Sequence, residues 1–281
     1  MYQSYVKLDS EENAMYTFEY HRPTSIKQAA SLVRKLADAR VIAGGQSLIP
    51  ALKLRLSRVA ALIDLGDLPE LRGISVAGAS LVIGALTRHA EVAASKDVQT
   101  ALPMLAKVAA GIGDRQVRNM GTLGGALANN DPAADYPAAV LGLNATITTN
   151  KRDIAADKFF KGLYETALRP GEIITSVSFP LAQRAAYAKF RHPASRFALV
   201  GVCVSDVGGN VRVAVTGAAS CVFRAKNMEK ALAASFTAAA LARIRIPADK
   251  LNSDLHAGAD YRSHLITVMA QRAVEAALAG K

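Results

Sequence analysis

The apolar positions of the chain change period as they are followed from one end to the other. Ile26, Ala29, Ala30, Val33, Leu36 and Ala37 recur at three- and four-residue intervals behind Thr24 and Ser25, which predicts a capped amphipathic helix. A short strand over residues 41–43, a helix over 48–56 carrying Lys53 and Arg55 outward, and a second strand over 61–65 follow. Strand and helix in alternation predict a small α/β unit. From Gly73 the period shortens: residues 74–76 and 81–83 flank a small-residue turn, a hairpin signal. Helices are expected over 87–95 and 98–112, the second with Leu102, Leu105, Val108, Ala109 and Ile112 on one stripe. A helical turn at 138–143 and a β-branched strand at 145–149 come next. The alternating segment 172–180 ends in Pro180, as a strand near a sheet edge does. Beyond a soft boundary at 181–186, residues 199–206 and 210–215 flank Gly208-Gly209 as a hairpin, and alanine-rich helices are expected over 225–244 and 261–278. The fold class is α+β.

Two stretches serve neither helix nor strand in this pattern. Ala43-Gly44-Gly45-Gln46-Ser47 follows the first apolar strand, and Thr122-Leu123-Gly124-Gly125-Ala126 follows the basic run Arg115 to Asn119. Adjacent glycines let backbone pass close to a ligand and tolerate positive φ. Successive N–H groups in such turns form anion-binding nests, so two loops together suit a pyrophosphate. Each taken alone reads more simply as an ordinary turn. Ser47 and Thr122 are either hydroxyl donors or caps of the next helix.

At 281 residues and 51% hydrophobic content, the chain holds two modest domains or one large one, and disorder is excluded. No apolar run is long enough to cross a bilayer, and the N-terminus lacks the pattern of a secretion signal, so a cytoplasmic protein is expected. The polar, acidic residues 1–14 are expected to be an extension or tag outside the fold. Two cysteines, Cys203 and Cys221, cannot supply the four ligands of an iron–sulfur cluster, and the five histidines show no zinc-site spacing. The net charge of +11 raises nucleic acid as a partner, but Lys and Arg are dispersed and Trp is absent.

Three ordered motifs, AGGQS, RNMGTLGGALANNDPAADYP and RPGEIITSVSFP, resemble the FAD-binding medium subunits of molybdenum hydroxylases, the group that includes carbon monoxide dehydrogenase and the flavin domain of xanthine dehydrogenase. The resemblance runs from about Tyr16 to the C-terminus. It implies a two-part FAD-binding domain of the PCMH type over 15–183, a small α/β unit plus a mixed and antiparallel unit, then a C-terminal α+β domain over 184–281. It implies that Ala43, Gly44, Gly45, Gln46 and Ser47, with Thr122, Leu123, Gly124, Gly125 and Ala126, meet the FAD diphosphate chiefly through backbone N–H groups, each charge-assisted bond being worth about 1.5–3 kcal/mol. Asp135 matches a carboxylate that bonds cofactor hydroxyls; its plainer reading is an Asx turn. Ile112, Ile174 and Lys189 fall where the family touches the flavin, although an isoleucine is core and a lysine solvated by default. Gln46 replaces a frequent histidine, Ala126 a usual asparagine, and Phe197 a tyrosine of some relatives. The expected partners are a small subunit with 2Fe-2S clusters and a large subunit with the molybdenum cofactor, in a heterotrimer or dimer of heterotrimers, with electrons leaving FAD to an external acceptor. The rivals are a stand-alone FAD-dependent oxidoreductase and, remotely, a basic nucleic-acid-binding module.

Overall fold

The computed structural model describes residues 15–280; the expected extension over 1–14 lies outside the described residues. The first unit consists of β1 (Glu19–His21), α1 (Ile26–Lys35), β2 (Ala39–Ile42), α2 (Leu48–Lys53) and β3 (Ala61–Asp64), with the strands parallel in the order β1-β3-β2. Ser25 caps α1 by accepting from the Gln28 N–H at 3.2 Å. Ala29 and Ala30 turn inward onto Ile63 and Leu65. The second helix is shorter than its pattern: it stops at Lys53, Arg55 takes φ +54°, and Leu54 and Leu56 are exposed.

The second unit is built on one five-stranded antiparallel sheet. Its elements are β4 (Ile74–Ala77), β5 (Ser80–Gly84), α3 (His89–Ala94), α4 (Lys96–Ala101), α5 (Pro103–Ala110), α6 (Arg115–Met120), α7 (Leu123–Asn129), α8 (Tyr136–Gly142), β6 (Thr146–Thr149), β7 (Asp153–Ala155), α9 (Ala156–Phe159), β8 (Phe160–Gly162), β9 (Glu165–Thr166) and β10 (Ile174–Pro180). The expected hairpin over 74–83 forms, but the long helix over 98–112 is two helices, because Pro103 has no N–H to continue the first and starts the second instead. The sheet order β4-β5-β10-β6-β7 corrects a second expectation: β10 is the central strand and not an edge. Its proline is tolerated because it occupies the last position, opposite Ser80, while Val177 and Phe179 are fully buried. Under this sheet Leu123, Leu127, Tyr136, Val140 and Phe159 form the largest core, each large apolar side chain contributing about 1.5–3 kcal/mol.

The third unit holds β11 (Arg184–Arg191), β12 (Ala198–Val207), β13 (Asn210–Thr216), β14 (Phe223–Arg224), α10 (Lys226–Ala234) and α11 (Ala259–Leu278), with the four strands antiparallel in chain order. The hairpin at Gly208-Gly209 forms with both glycines at positive φ, whereas the helix expected over 225–244 ends at Ala234 and gives way to a single 3-10 turn at Ala238–Leu241. α11 covers one face of the sheet; α8 meets the other. At that second contact a Cβ on Gly142 would stand 2.5 Å from Cys203 Sγ, and Arg212 donates to the Leu141 carbonyl, Asn144 Oδ1 and Asp157 Oδ1 at 3.0, 2.9 and 2.6 Å.

Candidate functional site

The first glycine segment forms the turn between β2 and α2. Gly45 has φ +69°, a conformation that side chains with a Cβ rarely adopt, and a Cβ on Gly44 would collide with the Met120 carbonyl and Gly121. The N–H groups of Gly44, Gly45, Gln46 and Ser47 have no acceptor among the described residues. Ser47 stands at the N-cap of α2 without making a side-chain cap bond, so its hydroxyl is also uncommitted, and the Gln46 amide folds back on the Gly44 carbonyl at 3.3 Å. Gln46 and Ser47 are exposed. Four consecutive unpaired N–H donors at a glycine turn offer the chemistry of an anion nest.

The second glycine segment is a helix start and not a loop. Thr122 caps α7, its hydroxyl accepting from the Gly125 N–H at 3.2 Å. Leu123 N–H donates to the Thr87 carbonyl at 3.1 Å, Gly124 N–H to the Ala85 carbonyl at 2.8 Å and Ala126 N–H to the Thr122 carbonyl at 3.0 Å. Leu123 and Gly124 are buried, and a Cβ on Gly124 would lie 2.6 Å from that of Ala85. Gly124 is therefore required by packing. Gly125 and Ala126 are the half-buried members of this stretch, and Ala43 Cβ is 3.6 Å from where a Gly125 Cβ would stand. The two segments, 79 residues apart from Ala43 to Thr122 in the chain, meet face to face.

A third cluster lies where β11 passes the C-terminal end of α5. Tyr187, Lys189 and Arg191 alternate along β11 and line a cleft of about 160 Å³ with Lys107, Val108 and Gly111. The Asp135 carboxylate accepts from the Tyr187 hydroxyl at 2.5 Å and from Lys189 Nζ at 2.8 Å. Asp135 is thus held by side chains across the sheet and makes no cap bond to its own helix. Burial pushes its carboxyl above the usual range, against the opposing pull of Lys189 and of the Tyr187 hydrogen bond. Burial, with the Asp135 charge beside it, likewise drives the Tyr187 phenol well above its ordinary value. Ile112 is half-buried next to this cleft, its carbonyl accepting from Arg118 at 2.9 Å, whereas Ile174 is packed into the main core. Between the clusters stands His89, buried against Gly121 and the Tyr136 ring, with its pKa lowered to about 4 by burial and by the Arg118 charge.

Residues 16–182 match the family described as FAD binding domain in molybdopterin dehydrogenase. The carbon monoxide dehydrogenase medium chain of Hydrogenophaga pseudoflava is 36% identical over 283 residues, covering 93% of this chain and 97% of the relative. The chain belongs to this FAD-binding family. Two solved structures share its fold: reconstituted CO dehydrogenase from Oligotropha carboxidovorans (TM-score 0.86, 35% identity, covering 95% of this chain and 99% of the other) and quinoline 2-oxidoreductase from Pseudomonas putida 86 (TM-score 0.85, 30% identity, with the same coverage). The α+β architecture with antiparallel sheets is that of the FAD-binding family. FAD is the cofactor of these domains, and the nest at 44–47 fits its diphosphate on chemistry alone, offering N–H donors that the protein leaves unused. Tyr187 was not singled out in the sequence. Its signal was the Tyr-x-Lys-x-Arg alternation, legible only once 184–191 is known to be a strand.

Proposed function

We propose that this chain is the FAD-carrying electron-transfer subunit of a heteromeric molybdenum hydroxylase. It would accept electrons from 2Fe-2S clusters on a small partner, released by substrate oxidation at a molybdenum cofactor on a large partner, and pass them to an external acceptor. The observation that carries the reading is the juxtaposition of the donor-rich turn at Ala43–Ser47 with the start of α7. Ala43, Gly44, Gly45, Gln46 and Ser47 would hold the diphosphate by backbone N–H groups, and of the residues Thr122 to Ala126 the half-buried Gly125 and Ala126 would supply the wall against which it lies, with Thr122, Leu123 and Gly124 buried behind them. Bound FAD would supply the two-electron and one-electron redox chemistry; the protein's part is binding, orientation and charge. The chain has two cysteines, fewer than the four ligands an iron–sulfur cluster takes.

The domain division at 183 and the partner subunits, in a heterotrimer or its dimer, belong to the same proposal. The experiment is anaerobic mixing of the FAD-loaded chain with the complex's substrate, with and without its partners. Bleaching of the flavin absorbance only when both partners are present supports the relay. Bleaching by substrate with the chain alone replaces it by a stand-alone flavoenzyme.

A further inference from the structure

Gly121 is a glycine whose backbone does not call for one. It closes α6 at φ −60° and ψ 142°, angles open to any residue, yet it is buried, and a Cβ on it would stand 2.6 Å from His89 Nε2 and 2.9 Å from His89 Cδ2. The space its side chain would fill is taken by the imidazole. Gly121 is also where the donor-rich turn comes close, since a Cβ on Gly44 would stand 2.7 Å from Gly121 Cα. One residue thus touches the His89 ring and the first N–H donor of the nest at once.

The backbone ties His89 to the same place. Its N–H donates to the Gly121 carbonyl at 3.0 Å, Leu123 N–H donates to the Thr87 carbonyl at 3.1 Å, and Arg88 pairs with Thr122 in an isolated antiparallel bridge. The His89 ring also meets that of Tyr136, with centroids 5.3 Å apart, and Tyr136 is fully buried in the largest core. His89 is 4% exposed, and its Nδ1 has no hydrogen-bond partner among the described residues. Contact, not a bond at Nδ1, places the ring.

We propose that His89 is a positioning residue for the diphosphate nest: its ring sets where Gly121 stands, and Gly121 sets the aim of the Gly44 N–H. This rests on the FAD-binding reading and deepens it. His89 touches no cofactor in this arrangement and acts only through Gly121. Hydrogen bonds weaken steeply as donor and acceptor fall out of line, so a small displacement of the turn is felt as affinity.

The test is a size-swap cycle on the full chain, read as FAD dissociation constant by flavin fluorescence, with denaturant titration showing that each variant is folded under the assay conditions. Gly121→Ala drives Gly121 off the ring, and His89→Ala removes the ring, so each should weaken FAD binding about tenfold. Independent effects would multiply to about a hundredfold. The double variant has room for the added methyl group and should bind FAD no more weakly than either single variant. A residue that merely supports the core would lower stability without this pattern in affinity. Multiplied losses, or either single variant binding FAD as the parent does, overturn the proposal. Should one single variant fail to fold, the double variant is compared with the other: equal or tighter FAD binding supports the proposal, and a further loss overturns it. A parent chain that takes up no FAD refutes the FAD-subunit reading itself, a result distinct from each of these.

Discussion

The Gly124 N–H donates to the Ala85 carbonyl at 2.8 Å, and the same approach leaves no space for a side chain, since a Cβ would stand 2.6 Å from Ala85 Cβ and 2.9 Å from its oxygen. Gly124 is helical rather than at positive φ, and its neighbour Ala85 directly follows β5. Gly124→Val should destabilise the chain by at least about 3 kcal/mol, chiefly through overpacking. Chemical denaturation checks this, and a fully stable variant would show that α7 can move off Ala85.

Gly125→Ala should separate binding from folding. Its Cβ would meet the Thr122 hydroxyl at 2.8 Å and Ala43 at 3.6 Å. Loss of the cap bond, about 1 kcal/mol, is offset by the gain of alanine over glycine within a helix. Stability should stay within about 1 kcal/mol while FAD affinity falls about tenfold, measured by flavin fluorescence. Gly45→Ala, forced to φ +69°, should instead lose about 1–2 kcal/mol of stability together with FAD.

His89 should make the protein less stable in mild acid. Its folded pKa is depressed to about 4 from an ordinary 6.5, so between these values the unfolded chain takes up a proton that the folded one refuses. Stability then rises with pH across that window, by about 1.4 kcal/mol per pH unit from this group, and is flat above it. His89→Gln should reduce the slope of unfolding free energy against pH between about 6.5 and 4.5. Parallel slopes in parent and variant would assign the dependence to other groups.

Arg212→Met should loosen the third unit from α8. The guanidinium is 2% exposed and satisfies the buried Leu141 carbonyl together with the exposed side chains of Asn144 and Asp157, so its removal leaves that carbonyl unpaired. A loss of about 1–3 kcal/mol is expected in thermal or chemical unfolding. Asp157, 40% exposed and still within 3.4 Å of Arg224, adds little to that figure.

The elements that the sequence made legible are those whose signal is local. Ser25 capping α1, the hairpin at Gly208-Gly209 and the turn between β4 and β5 all depend on residues within a few positions of one another. What was missed depends on distant partners. Residues 184–191 form a strand because Gly201 and its neighbours on β12 accept them, not because of an internal pattern. The place of β10 at the sheet centre follows from β5 on one side and β6 on the other, which Pro180 alone conceals. The two glycine segments were recognisable by composition, but only tertiary packing shows that Gly44 and Gly124 are hemmed in by other elements, that Gly45 turns at positive φ against Ile42 and Ile49, and that Gly125 faces Ala43.

The contact of Cys203 with Gly142 gives the molecule an internal reporter. Cys203 is fully buried between β12 and α8, with its thiol pushed up to about 12, and it becomes reachable only if the third unit lifts from that helix. Half-buried Cys221 supplies a reference thiol in the same chain. The ratio of their alkylation rates would therefore time the breathing of that seam, residue by residue and without any added label, and would register whether loading the chain with FAD or docking it to another subunit quiets the motion.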